Sequence, residues 1–172
     1  TWWGYGESTN PVSTLSGAGY LARAWRGRPS LNDGGVIITP AVCDGRFNDE
    51  WFPSYREVFN LFGKVNLPEE LTKYEPEFLT RSDYMYRYRY CYGYHGLHPF
   101  WVLYAAQYAL QRASRIIIPG ARDPGAVRAA QCTSTKNYDD AWRMAKQVVG
   151  SDPDIVVLPH YYSKMGYLVL KP

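Results

Sequence analysis

Long hydrophobic runs are missing from this chain: aliphatic stretches such as Val36-Ile37-Ile38, Ile116-Ile117-Ile118 and Ile155-Val156-Val157-Leu158 fall far short of the ~18 to 20 residues a membrane-crossing helix needs. No membrane association is expected. Cysteine is scarce. Cys43, Cys91 and Cys132 are widely spaced and odd in number, which argues for a reducing, cytoplasmic compartment over a disulfide framework. Charge of one sign is also lacking, since 19 Lys and Arg face 16 Asp and Glu for a net +3 spread along the chain, so charge does not indicate nucleic acid. There is no GxGxxG, P-loop or GxSxG pattern and hence no motif support for nucleotide binding or serine hydrolysis. The chain starts at Thr1, without an initiator Met and without a basic-then-apolar leader, and reads as a fragment of a longer protein.

What the chain has in abundance is aromatic side chains with a polar tip, 16 Tyr and 6 Trp, which suit surfaces that must be apolar and hydrogen-bonding at once. Its periodicity predicts a helix over residues 11–25 after Asn10, with Val12, Leu15, Ala18 and Ala22 on one face and Gly17 and Gly19 weakening it. The β-branched run Val36 to Thr39 follows the turn Asn32-Asp33-Gly34-Gly35 and predicts a buried strand. A helix beginning near Pro53 carries Val58, Leu61 and Phe62, and a short one starts at Pro68. Further helices are expected from Pro99 to Arg112, from Pro124 to Ala130, and over residues 137–149 with Ala141, Met144, Ala145 and Val148 inward. Strands are expected at residues 115–119, 154–159 and 167–170. The tyrosines at 84, 86, 88, 90, 92 and 94 would share one face of a strand and scatter around a helix.

Apolar strands separated by helices predict an α/β, Rossmann-like three-layer domain with a largely parallel sheet flanked by helices. Residues 1–172 read as one carboxyl-terminal domain, with 1–33 an opening helix and linker and 64–98 a Tyr-rich insertion. Ligands of such sheets bind beyond the carboxyl ends of the strands, which directs attention to Cys43 to Phe47, Gly120 to Asp123 and His160 to Lys164.

The densest chemistry lies in Cys91-Tyr92-Gly93-Tyr94-His95-Gly96-Leu97-His98-Pro99-Phe100-Trp101. With Pro99 opening a helix, His98 falls at the N-cap, where the helix dipole disfavours imidazolium. A neutral His98 can accept a proton or hydrogen-bond a substrate hydroxyl, with His95 beside it and free backbone N–H groups to hold a carboxylate. The bland alternative is a pair of loop histidines. Tyr94 and Trp101 flank the pair and are candidates for covering a substrate. Asp44 and Arg46 follow the first strand and could hold a polar substrate group, Arg46 clamping a carboxylate; equally, Asp44-Gly45 forms a turn and Arg46 is solvated. Cys91, His95 and His98 lack the spacing of a metal site, and no metal is assigned to this chain. His160 reads as structural. Tyrosines interleaved with Arg87 and Arg89 suggest a non-catalytic alternative, a module for single-stranded nucleic acid or a protein partner.

The order of these motifs, Gly34-Gly35-Val36-Ile37-Ile38 leading to Cys43-Asp44-Gly45, then Phe52-Pro53-Ser54-Tyr55, His95-Gly96-Leu97-His98-Pro99-Phe100-Trp101, Arg115 to Ile118 and Ile155 to Pro159, resembles the carboxyl-terminal domain of the nickel-pincer lactate racemase family. The resemblance spans about residues 10–170. It implies a racemase or epimerase that moves a hydride to and from a nickel-pincer nucleotide at the stereocentre of a 2-hydroxy acid or sugar acid. In such a protein the cofactor is bound mainly by an amino-terminal domain of the same chain, which is this domain's implied partner, so no cofactor is expected in this chain itself. The family has a His-Lys pair where this chain has His98-Pro99. That departure removes a cation near the substrate carboxylate and points away from lactate itself.

Overall fold

The computed structural model describes residues 9–22 and 30–157. In chain order these form helix α1 (Pro11–Ala22), strand β1 (Val36–Ile38), helix α2 (Tyr55–Phe62), a 3-10 helix (Pro68–Tyr74), helices α3 (Glu75–Thr80), α4 (Ser82–Tyr90) and α5 (His98–Arg112), strand β2 (Arg115–Pro119), helix α6 (Pro124–Ala129), strand β3 (Thr133–Thr135) and helix α7 (Tyr138–Val149). The three strands form one all-parallel sheet in the order β1-β2-β3. With helices on both faces this is the expected α/β, Rossmann-like layout.

Alternation along the strands sorts the core into two sides. Ile37 and Ile116 are register partners and, with Ile118, join the large core formed with α1, α5 and α6, including Leu15, Leu103 and Val127. Ile117 points the other way into a smaller cluster with Ala141 and Ala145 of α7, flanked by Val36, Ile38 and Met144. Helix α7 begins where Asn137 accepts the Asp140 N–H at 2.8 Å and stops at Gly150, whose φ of 88° favours glycine. Its expected inward face needs one correction: Val148 lies at the exposed margin.

Helix α1 departs further from expectation. Val12, Leu15, Ala18 and Ala22 are buried, but so are Asn10, Ser13, Thr14 and Ser16, so the helix is enclosed on all sides and not one-faced. Some of its polar groups are met locally, since Asn10 Oδ1 accepts the Ser13 N–H at 2.7 Å and the Thr14 hydroxyl donates to the Asn10 carbonyl at 3.0 Å, while the Ser16 hydroxyl has no partner among the described residues. Enclosure depends on Gly19, where a Cβ would stand 2.5 Å from the Ala105 carbonyl oxygen of α5. The glycine that costs helix propensity lets two backbones meet.

Three other expectations change. Strand β3 is a polar Thr-Ser-Thr segment that sequence periodicity does not mark. Residues 154–157 of the strand expected at 154–159 form no strand, and Ile155, Val156 and Val157 are exposed; the rest of that stretch, the strand expected at 167–170, residues 23–25 of the first helix and His160 lie outside the described residues. The alternating tyrosines lie mostly on a helix, α4: Tyr84 is buried, while Tyr86, Tyr88 and Tyr90 face solvent. One ring fixes that helix. Tyr84 stacks on Phe78 at 5.6 Å, lies under the Arg81 guanidinium and donates to Glu57 at 2.6 Å.

The Gly19→Ala variant is expected to lose about 3 kcal/mol of stability through overpacking against α5. Gly63→Ala, at a φ of −62° and with nothing nearer than 3.7 Å to the added Cβ, should change stability by less than about 1 kcal/mol. Chemical denaturation of the two variants beside the parent chain checks both.

Candidate functional site

The segment leaving the carboxyl end of β1, residues 39–54, leads directly into α2, and the first residue of α2, Tyr55, touches the first residue of α5, His98. Asn48 organises that segment by accepting the Trp51 N–H at 3.2 Å and, through its carbonyl, the Phe52 N–H at 2.8 Å. Trp51 then fixes the turn before α5, its carbonyl accepting the Tyr94 N–H at 2.7 Å. Phe52 stacks on Tyr94, centroids 4.7 Å apart, and packs on Tyr55 at 4.9 Å. The result is an aromatic wall of Phe52, Tyr55 and Tyr94 against the His98 ring, which lies 4.4 Å from Tyr94 and 5.8 Å from Tyr55.

His98 Nδ1 and the Tyr55 hydroxyl are hydrogen-bonded at 2.8 Å, and Tyr55 is only 2% exposed. Burial, aided by neighbouring His95, holds the His98 pKa down at about 4, so its ring is neutral near pH 7. His98 is the first residue of α5 and Leu97 its cap, one position from the sequence expectation. Sequence reasoning missed Tyr55 as a site residue, because a lone tyrosine in an apolar helix face gives no signal of its partner 43 positions away.

His95 sits beside this cluster. Its Nδ1 accepts the Leu97 N–H at 3.1 Å, and its ring meets the edge of Tyr88 at 5.0 Å. Trp101, one turn into α5, is 69% exposed. The free backbone donors expected at this helix start are engaged: His98 N–H donates to the His95 carbonyl at 2.9 Å, Phe100 and Trp101 N–H both reach the Leu97 carbonyl, at 3.1 and 3.4 Å, and Pro99 has none.

Asp44 and Arg46 form a separate group. Gly45 turns there with a φ of 76°, the Arg46 N–H donates to Asp44 Oδ1 at 3.1 Å, and the Arg46 side chain is 85% exposed with its Nε 3.8 Å from Asp44. This is the turn-with-solvated-arginine arrangement. The loop after β2 braces it, with Arg122 N–H on the Val42 carbonyl at 2.8 Å and Asp123 N–H on the Cys43 carbonyl at 3.0 Å. Among the described residues no hydrogen bond, ion pair or ring contact joins this turn to the histidine cluster. The Cys43 thiol beneath it is pushed up to about 11 by burial, against a lowering hydrogen bond with Thr14, and further by Asp123 and Asp44. Burial drives the Cys132 thiol to about 12. All three cysteines are free, and Cys91 is exposed.

A hollow of about 400 Å³ between the 3-10 helix and α5 is lined by Glu69, Thr72, Tyr104, Gln107, Tyr108 and Gln111. Its polar groups are largely spent on one another: Tyr104 donates to Glu75 at 2.5 Å, and Gln107 exchanges hydrogen bonds with Glu69. It holds none of the candidate groups. Among the described residues no three His, Cys, Asp or Glu side chains converge as a metal site, and no helix is long and apolar enough to cross a membrane. Comparison with protein-family models, curated proteins and solved structures finds no match for the chain.

Two measurements follow from these environments. The unfolded chain binds a proton at His98 below about pH 6.5, whereas the folded one resists until about pH 4. The stability contributed by the neutral, buried ring is therefore full above pH 6.5 and lost as pH falls toward 4. Relative to His98→Gln, the wild-type chain should lose on the order of 1–2 kcal/mol more between pH 7 and pH 4.5 after solvent screening, read by urea denaturation at each pH. In native protein a thiol reagent should label Cys91 rapidly and reach Cys43 and Cys132 only on unfolding, which mass spectrometry of time points resolves.

Proposed function

We propose that this chain is the carboxyl-terminal, substrate-covering domain of a cytoplasmic racemase or epimerase for a 2-hydroxy acid or sugar acid, related to the nickel-pincer lactate racemases it resembles. The observation that carries this reading is His98, neutral and half-buried at the start of α5, hydrogen-bonded to buried Tyr55 and walled by Tyr94. Such a ring can share or exchange a proton with a substrate hydroxyl at neutral pH. Tyr94 and exposed Trp101 supply aromatic surface for the carbon skeleton, and Arg46 is a solvent-exposed cation for a carboxylate farther off. The described donor set does not fit a nickel-holding role, since no three ligating side chains converge and both ring Nδ1 atoms are engaged internally. The reading assigns the nickel-pincer group to an amino-terminal domain of the same chain.

The exposed rings Tyr86, Tyr88, Tyr90 and Tyr92 favour a second reading, a tyrosine and arginine surface for single-stranded nucleic acid. Its electrostatics are thin. Arg81 is paired with Glu57 and Asp83, and Arg87, held to the Asp49 carbonyl at 3.0 Å, leaves with Arg89 only two cations on that helix to meet a phosphate backbone.

In the full-length parent, His98→Ala is expected to lower turnover of its hydroxy-acid substrate about 100-fold, and His160→Ala to cost little beyond stability. Equal, small losses in both variants with folding intact would overturn the catalytic reading. Binding of an oligonucleotide that weakens steeply with salt would establish the second one instead.

A further inference from the structure

The start of α5 looks like an anion site and lacks the usual means of being one. Each main-chain donor there is satisfied within the turn or removed by Pro99. An oxygen arriving at this turn must be met by side chains, and which ring nitrogen carries the proton decides what the histidines can offer it.

The proton on His95 is placed by its neighbour. Leu97 N–H can only donate, so His95 Nδ1 accepts, and in its neutral form the ring carries its proton on Nε2. For His98 the partner is the Tyr55 phenol at 2.8 Å. A phenol O–H is a better donor than a neutral imidazole N–H, and an imidazole nitrogen a better acceptor than a phenol oxygen, so the phenol donates to Nδ1. The Tyr55 ring is enclosed by Phe52 and the His98 ring, which keeps its hydroxyl from swinging to solvent.

We infer that Tyr55 is a positioning residue that locks His98 in the Nε2–H tautomer, so that His98 offers a ring N–H donor to an oxygen of the ligand. That the ligand is a hydroxy acid rests on the function proposed above; the tautomer lock rests on the hydrogen bonds alone. In that setting the His98 Nε2–H binds a carboxylate or hydroxyl oxygen at a helix start where this chain has Pro99 and no lysine. His98 then enters the reaction as a hydrogen-bond donor, with Nδ1 already occupied.

Long-range proton–nitrogen NMR of the 172-residue chain with 15N-labelled histidine tests this directly at pH 7.5. Both His95 and His98 are expected to show a protonated Nε2 and a bare Nδ1. Tyr55→Phe should leave the His95 pattern unchanged, which also reports an intact turn, and return His98 to a mixture of tautomers. A wild-type His98 protonated at Nδ1, or a Tyr55→Phe chain with His98 still fully in the Nε2–H form, would overturn the lock. In the full-length parent, His98→Gln, which keeps an N–H donor in roughly the Nε2 position, should retain at least about tenfold more turnover than His98→Ala. Equal loss in the two would overturn the donor role while leaving the site assignment standing. Full activity in both would remove the hydroxy-acid ligand, whereas the lock itself stands or falls on the NMR spectra.

Discussion

The contact between α1 and α5 at Gly19 is the constraint from which the rest of this domain follows. With only a hydrogen where other residues have Cβ, α1 comes against the Ala105 and Ala106 backbone and can be enclosed between α5 and the sheet. Enclosure takes its polar side chains out of water, and Thr14 pairs inside the protein with the Asn10 carbonyl and with the Cys43 thiol, whereas the Ser16 hydroxyl finds no partner among the described residues. It also fixes where α5 lies. Since α5 begins at His98 and α2 at Tyr55, the position of α5 sets the 2.8 Å bond between them. A methyl group at position 19 would be felt first in packing and then in the geometry of a hydrogen bond far along the chain.

Much of the fold was legible because its signals are local. The runs at 36–38 and 115–119 are β-branched and bounded by turns, and Asn137 and Gly150 bracket α7 as cap and stop. What escaped was decided by tertiary partners. Strand β3 has no apolar residue, because its place is held by backbone bonds to β2, from Ile117↔Thr133 to Pro119↔Thr135. Ile155 to Val157 has the composition of a buried strand and lies exposed; composition states a preference that only a partner can satisfy. The tyrosine alternation carried no strand because a single ring, Tyr84, anchors the segment through Phe78, Glu57 and Arg81.

The candidate site divides in the same way. His95 and His98 were legible as a pair ahead of a helix, and the structure sets His98 against Tyr94 and His95 against Tyr88. Asp44 and Arg46 were legible as a loop at the sheet's binding edge, and the structure leaves them apart from the histidines, braced by the loop after β2. Tyr55 was not legible, since its hydroxyl acquires meaning only when α2 and α5 are brought together.

Proline at position 99 sets the electrostatic character of the site. It supplies no N–H, and the turn before it consumes the donors on either side, His98 N–H on the His95 carbonyl and the Phe100 and Trp101 N–H groups on the Leu97 carbonyl. A lysine there would have added a full charge to a terminus already positive by its dipole. With proline the helix start carries neither free backbone donors nor a lysine charge, and burial keeps His98 from becoming a cation near neutral pH. Without a lysine there, the helix start lacks the fixed side-chain charge that attraction of anions at a distance draws on. What His98 offers at contact is one directed ring hydrogen bond set against the aromatic wall of Phe52, Tyr55 and Tyr94, an interaction whose strength depends on geometry and not on net charge.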